Sequence, residues 1–175
     1  NSGVKLPEGR KLRPAGVLVP IQMIEGEARL YLTKRSSALK HHPGQIAFPG
    51  GKQDKTDATI IDTALREAEE EIGLPREIVE VIGEVPPHET VTSFQVTPVV
   101  AMIQSPFIPK IQPEEVEEVV DAPLNHVLRA DNFSVQYRRW RGTRRHYFTV
   151  PYGPYYIWGA TARILRAITD GWADP

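Results

Sequence analysis

The chain has 175 residues and a formal net charge of −1. Its length predicts one domain with a sizeable core, and its charge gives no reason to expect nucleic acid or a membrane as an obligatory partner. It has no cysteine, which excludes disulfides, thiolate catalysis and cysteine zinc sites and suits a reducing cytoplasm. No run approaches about 18 apolar residues and no signal-peptide pattern opens the sequence, which starts at Asn1. We therefore expect a soluble, cytoplasmic protein.

Apolar periodicity and turn residues divide the chain into interleaved strands and helices. Residues 1–14 are polar and basic and are predicted to form an N-terminal arm, with a single domain over residues 15–175. The predicted strands span residues 15–24, 28–33, 44–47, 78–85, 96–103, 134–140 and 144–150. The predicted helices span residues 59–72, 123–128 and 158–168. Strands and helices interleave in this order but do not follow a strict βαβ repeat, which predicts an α/β sandwich with a mixed sheet.

Basic residues and a glycine pair precede the first helix. Lys34, Arg35 and Lys40 stand upstream of Gly50 and Gly51. Each cation alone is typical of a surface charge. The glycines can adopt positive φ and allow another group to approach the backbone closely.

The helix predicted over residues 59–72 has clear end signals. Thr59 and Asp62 match a capping box, with Asp57 as the alternative cap, and Gly73 followed by Pro75 marks the end. One face is apolar or small, with Ile61, Ala64, Leu65, Ala68 and Ile72 at helical spacing.

Three acids share another face of this helix at its C-terminal end. Glu67, Glu70 and Glu71 are related as i, i+3 and i+4. Each like-charge pair costs a few tenths of a kcal/mol, and each acid in the last turn opposes the helix dipole by about 0.3–1 kcal/mol. A divalent cation among the carboxylates would reverse these costs. The cluster is therefore either a solvated acidic face or a metal site.

The run from Arg66 to Leu74 (REAEEEIGL), with the upstream Gly50-Gly51 pair, resembles the Nudix box. One position departs from the family pattern, because Asp57 stands where a glutamate is usual and its gap to Arg66 is one residue longer. This insertion loosens any role expected for Asp57. The resemblance implies a Nudix-type α/β/α sandwich with a mixed β-sheet and metal-dependent hydrolysis of a pyrophosphate bond.

A second signature resembles the element that precedes the box in Nudix coenzyme A pyrophosphatases. It comprises residues 32–36 (LTKRS), Lys40, Gly44 and residues 48–51 (FPGG), with Lys40 where an arginine is usual. The longer box is also typical of that subgroup, and later segments extend the resemblance from about residue 15 to about residue 168: residues 96–100 (VTPVV), 114–116 (EEV), Pro123-Leu124 and 157–162 (IWGATA). The implied reaction converts coenzyme A or acyl-coenzyme A into 3′,5′-ADP and 4′-phosphopantetheine or its acylated form.

The resemblance also implies roles for the candidate residues. Glu67 and Glu71 are expected to bind Mg²⁺ or Mn²⁺, with Glu70 as a further ligand or as the general base. Carbonyl groups of Gly50 and Gly51 are expected to complete the metal sphere.

Several assignments have rivals. Arg66 is expected to orient Glu70, and phosphate contact is the alternative. Glu114 and Glu115 are alternative bases. Lys34, Arg35 and Lys40 are expected to contact the phosphates of the nucleotide.

Two other functions stay open: a broader nucleoside-diphosphate-linked hydrolase, acting for example on ADP-ribose, and a non-catalytic nucleotide-binding Nudix domain. The resemblance also favours a homodimer.

Five arginines surround a predicted hairpin turn near aromatic residues, a pattern compatible with nucleic-acid binding, although the nearly neutral total charge favours a solvated hairpin. Tyr155, Tyr156 and Trp158 are predicted to be packing aromatics.

Overall fold

The computed structural model describes residues 8–172, so that the first seven residues of the predicted arm lie outside it. The strands are β1 (Arg13–Ile24), β2 (Glu27–Arg35), β3 (Ile46–Ala47), β4 (Gly50–Lys52), β5 (Val79–Glu84), β6 (His88–Glu89), β7 (Phe94–Ile103), β8 (Val116–Pro123), β9 (Ser134–Trp140) and β10 (Thr143–Thr149). The helices are α1 (Ile60–Ile72), α2 (Leu124–Val127) and α3 (Gly159–Trp172), with short 3-10 turns at Arg76–Ile78 and Ala130–Asn132. None of the described helices is long and apolar enough to span a membrane.

The main sheet is mixed, as predicted. Its central path runs β3-β2-β1-β7-β5, with β1 and β7 parallel and the other neighbours antiparallel. Strand β4 also pairs with β1, β8 with β2 and β6 with β7. Strands β9 and β10 form a separate antiparallel hairpin.

The core has two layers because successive side chains of a strand point to opposite faces. On one face, Leu18 of β1 packs with Ala64 and Ala68 of α1. On the other, Val19 packs with Leu165 of α3. The sheet is thus covered on both sides, which confirms the α/β/α sandwich.

Helix α1 begins and ends where its local signals predict. The side chain of Thr59 accepts a hydrogen bond from Asp62 N at 3.2 Å, and Asp62 Oδ2 accepts one from Thr59 N at 3.1 Å. Gly73 follows the helix with φ 69°, and a left-handed residue at this position favours glycine. These ends fix which side chains occupy the last turn of α1.

Several predicted boundaries were wrong in detail. The strand predicted over residues 44–47 is reduced to Ile46–Ala47, because Gly44 has φ 70° and turns the chain. Gly50–Lys52 form a strand that pairs with β1, although glycine is depleted in strands. Strand β1 begins inside the predicted arm, at Arg13.

Candidate active site

The glycine pair lies between β1 and the C-terminal half of α1. A methyl group placed on Gly51 would lie 2.6 Å from Glu67 Oε1, and one on Gly50 would lie 2.5 Å from the carbonyl oxygen of Gly16. Both distances are shorter than any ordinary contact of a Cβ atom. Glycine is therefore needed at Gly50, where the close atom belongs to the β1 backbone, whereas at Gly51 a methyl group would displace the Glu67 carboxylate.

Two carboxylates from successive turns of α1 are drawn into this junction. Glu71 is only 8% exposed, and burial, followed by the Glu67 carboxylate, raises its pKa to about 8, although the Gly50 N–H group and Arg35 act in the opposite direction. Burial also raises the pKa of Glu67, although neighbouring Arg66 lowers it. Ionising both carboxylates at this junction is thus costly without a cation.

Arg66 organises the acids around it. Its Nε and Nη2 donate to Asp57 Oδ1 and Oδ2 at 2.9 and 2.8 Å. Its Nη1 donates to Glu67 Oε1 at 3.2 Å and to Glu70 Oε2 at 3.2 Å. The expected pairing with Glu70 is therefore present, together with contacts to two other acids.

Asp57 corrects the sequence interpretation, which loosened its role. It is the bidentate partner of Arg66, and it also accepts hydrogen bonds from Thr63 Oγ1 at 3.0 Å and from Asp54 N at 2.9 Å. The hydrogen bonds from Arg66 hold the pKa of Asp57 well below its usual range.

The candidate bases differ in their surroundings. The Glu70 side chain is 53% exposed and contacts Arg66. It therefore borders solvent and lies on the same helix face as Glu67 and Glu71. Glu115 is exposed, and its charge contributes to the raised pKa of Glu71. Glu114 is exposed, and no hydrogen bond or ion pair ties its side chain to the described residues.

The three upstream cations do not form one group. Arg35 belongs to the carboxylate side, because its charge lowers the pKa of Glu71. Its Nη2 donates to the carbonyl oxygen of His41 at 3.2 Å, whereas its Nε is buried and has no hydrogen-bond partner within residues 8–172. Lys40 is exposed in the loop after β2 and makes no ion pair with the described part of the chain.

Lys34 points into a groove on the other side of the sheet. It forms an ion pair with Glu117 at 3.1 Å and lines a groove of about 460 Å³ with Gly44, Gln45 and Glu118. Lys34 and Arg35 are neighbours in β2, at a point where its pairing with β8 shifts register. Because Lys34 lines the groove and Arg35 acts on Glu71, the two cations serve different surfaces.

Aromatic residues before α3 form the opposite wall of this groove. Tyr155, Tyr156 and Trp158 line it, the Tyr155 hydroxyl donates to Glu118, and Tyr156 is 48% exposed. The prediction that all three are packing aromatics was therefore wrong for Tyr156. Sequence reasoning missed the groove because its walls are more than 100 residues apart in the chain, although the subgroup-like segment at residues 157–162 pointed to this region.

The donor set fits a hard divalent cation. Carboxylate and carbonyl oxygens are the ligands that Mg²⁺ and Mn²⁺ prefer, and the buried Glu71 and half-buried Glu67 supply two carboxylates beside the glycine backbone. Among the described residues, no group of three or more His, Cys, Asp or Glu side chains is gathered in metal-binding geometry. The Glu70 carboxylate lies with Arg66 instead, so that its role as a third ligand stays a prediction.

Comparisons with known proteins identify the family of the chain. Residues 12–141 match the NUDIX domain. A protein of Enterobacter sp. (strain 638) called "Uncharacterized Nudix hydrolase NudL" is 44% identical over 156 residues, which cover 89% of this chain and 81% of the relative.

Solved structures share the fold at low identity. An Ap4A hydrolase binary complex from C. elegans aligns with a TM-score of 0.55 and 18% identity, covering 63% of this chain and 80% of that one. The NUDIX domain of Shewanella oneidensis NrtR, complexed with ADP ribose, aligns with a TM-score of 0.53 and 20% identity, covering 68% and 77%.

Proposed function

Since the chain belongs to the Nudix hydrolase family, we propose that it hydrolyses the pyrophosphate bond of coenzyme A or acyl-coenzyme A. The products are 3′,5′-ADP and 4′-phosphopantetheine or its acylated form. Hydrolysis of pyrophosphate bonds and the use of divalent metal ions are general to the family. The choice of coenzyme A is supported by the FPGG signature with its upstream cations and by the longer box.

The observation that carries the proposal is the pairing of the buried Glu71 with the half-buried Glu67 against the glycine loop. These two residues would hold the cation, Mg²⁺ or Mn²⁺, with carbonyl groups of Gly50 and Gly51 nearby. When bound, the cation would offset the negative charge of the diphosphate and favour attack by water at phosphorus. A solvated acidic face does not explain why Glu71 is buried next to Glu67.

The other side chains have complementary roles in this proposal. Glu70 accepts the proton of the attacking water, since it is exposed and is oriented by Arg66. Arg35, with its unpaired Nε, binds a phosphate oxygen beside Glu71. Lys34 contacts the substrate from the groove, and Lys40 contacts phosphate from its loop.

Substrate comparison tests the proposal. With Mg²⁺ present, turnover of coenzyme A should exceed turnover of ADP-ribose and of dinucleoside polyphosphates. The Glu71→Gln variant should lose most of that activity while remaining folded. A preference for ADP-ribose by orders of magnitude would contradict the assignment to coenzyme A and leave the reaction class standing.

A second candidate is ADP-ribose, either as a substrate or as a ligand of a non-catalytic domain. It is favoured by the fold shared with the NrtR domain complexed with ADP ribose. The rate of product release from ADP-ribose distinguishes a substrate from a ligand. If wild-type protein releases product no faster than Glu71→Gln, binding without catalysis is favoured. The homodimer and the cytoplasmic location stay predictions.

A further inference from the structure

The β9–β10 hairpin concentrates positive charge. Residues 134–149 contain no acid and five arginines, namely Arg138, Arg139, Arg141, Arg144 and Arg145. None of the five forms an ion pair with a carboxylate in residues 8–172. All seven side chains of β9 are exposed. Four of these charges therefore face solvent, Arg145 is half-buried, and all five lack a counter-charge in the described part of the protein.

One face of the hairpin pairs two arginines, one of them beside the groove. Arg138 and Arg145 are directly opposite in the antiparallel register, where like charges disfavour each other. The Arg138 guanidinium lies 5.5 Å from the centre of the Trp158 ring, and that of Arg145 lies 4.0 Å from the centre of Trp140. Arg145 Nε is buried without a hydrogen-bond partner among the described residues. Because Trp158 also lines the groove, Arg138 lies beside the groove, and Arg145 lies next to Arg138 on the neighbouring strand.

The groove itself suits a nucleoside better than a phosphate. Tyr156 and Trp158 offer aromatic surface, whereas Glu118 on its wall would repel an anion. The groove is connected to the carboxylates through β3, since Ile46 on its wall is five residues from Gly51. A fully extended chain of that length spans at most about 18 Å. An extended ligand can therefore occupy the groove and the carboxylate site together.

We propose that Arg138 and Arg145 bind the 3′-phosphate of the substrate's adenosine, whose base packs against Tyr156 and Trp158. This inference rests on the proposed function, because coenzyme A carries that phosphate and dephospho-coenzyme A lacks it. Guanidinium groups form strong, charge-assisted hydrogen bonds with phosphate and stack on aromatic rings. The two arginines thereby select nucleotides with a phosphate on the ribose in addition to the diphosphate.

Steady-state kinetics with coenzyme A and dephospho-coenzyme A test this assignment. The variants are Arg138→Gln and Arg145→Gln, and the matched control is Arg139→Gln, which removes the same charge from the opposite face of β9. Wild-type kcat/KM should favour coenzyme A by about tenfold or more, as expected for a charge-assisted contact. Both test variants should lose most of that preference through a higher KM for coenzyme A, with dephospho-coenzyme A turned over as before. Arg139→Gln should keep the preference.

A binding measurement separates this inference from the proposed function. Wild-type protein titrated calorimetrically should bind 3′,5′-ADP about tenfold more tightly than 5′-AMP, and Arg138→Gln should bind the two nearly equally. If coenzyme A is not cleaved but this difference holds, the proposed function fails and the phosphate site stands. Equal wild-type affinities, or an equal loss in Arg139→Gln, would overturn the phosphate site even if coenzyme A is cleaved.

Discussion

Arg66 shows how a single side chain can arrange a set of acids. Its guanidinium forms a two-point contact with Asp57 and turns its remaining nitrogen toward Glu67 and Glu70. With its donors engaged by three carboxylates and by the Lys52 carbonyl oxygen, little remains for a phosphate. This geometry favours the interpretation of Arg66 as a positioning residue.

The Arg66→Lys variant should separate geometry from charge. Lysine keeps the positive charge and loses the planar fork, so that kcat should fall about 10–100-fold, the usual cost of losing a supporting contact, while KM changes little. The free energy of unfolding, measured with urea, should fall by about 1–3 kcal/mol. Asp57→Asn should reproduce the loss of kcat. A large rise in KM at constant kcat would instead indicate phosphate contact by Arg66.

The buried Glu71 should make stability depend on pH. Its pKa is raised from 4.5 to about 8 in the folded protein, so that between these values the folded state binds more protons than the unfolded state. The free energy of unfolding should then decrease as pH rises through this window, by up to about 1 kcal/mol per pH unit. Asp57 acts in the opposite direction at lower pH, because its stabilising contribution is lost as pH falls below its usual pKa.

Urea unfolding from pH 5.5 to pH 8.5 in the presence of a chelator checks this slope. The slope should become smaller in Glu71→Gln, which cannot titrate, and also in wild-type protein with saturating Mg²⁺. A wild-type curve that is flat in chelator would contradict the burial of an ionisable Glu71.

At the scale of elements, those specified by local signals could be predicted from the sequence, whereas those that depend on long-range pairing could not. Helix α1 could be predicted almost to the residue because its capping box, apolar spacing and terminal glycine are all local. Strand β4 could not, since its glycines lack strand propensity and only pairing with β1 makes Gly50–Lys52 a strand. The separation of Lys34 from Arg35 could not be predicted with certainty from strand alternation, because the pairing of β2 with β8 shifts register between them.

The contact between β4 and α1 makes Gly51 a sensitive position. In Gly51→Ala, the new methyl group would collide with the Glu67 carboxylate and move it, so that cation affinity should fall about 10–100-fold and activity should fall with it. Gly83→Ala is the matched control, because no atom lies within 4 Å of a methyl group placed there. Mn²⁺ titration followed by electron paramagnetic resonance measures the change, and equal affinities in the two variants would contradict this geometry.

At the scale of the whole molecule, the sheet carries a carboxylate site on its α1 side and an aromatic groove on its α3 side. The mixed sandwich and the residues of the Nudix box could be predicted from the sequence, since one follows from the order of elements and the other from a contiguous motif. The groove could not, because it joins Lys34 and Gly44 to aromatics before α3. Such a juxtaposition depends on how distant segments pack.

Cation binding should stabilise the entire fold through the carboxylate site. A ligand at a hundred times its Kd adds about 2.7 kcal/mol to the free energy of unfolding, which raises Tm by roughly 5–10 °C for a chain of this size. Thermal unfolding with and without Mg²⁺ should show this rise in wild-type protein and lose most of it in Glu71→Gln. An equal rise in both proteins would place the cation elsewhere.

The opposite orientations of Lys34 and Arg35 set a minimum length for a ligand that meets both. Under the proposed function, the diphosphate of the substrate would lie near the end of β2, with one arm of the molecule on each side of the sheet. The length of a ligand would then decide whether it contacts both cations, whatever chemical group stands at its far end.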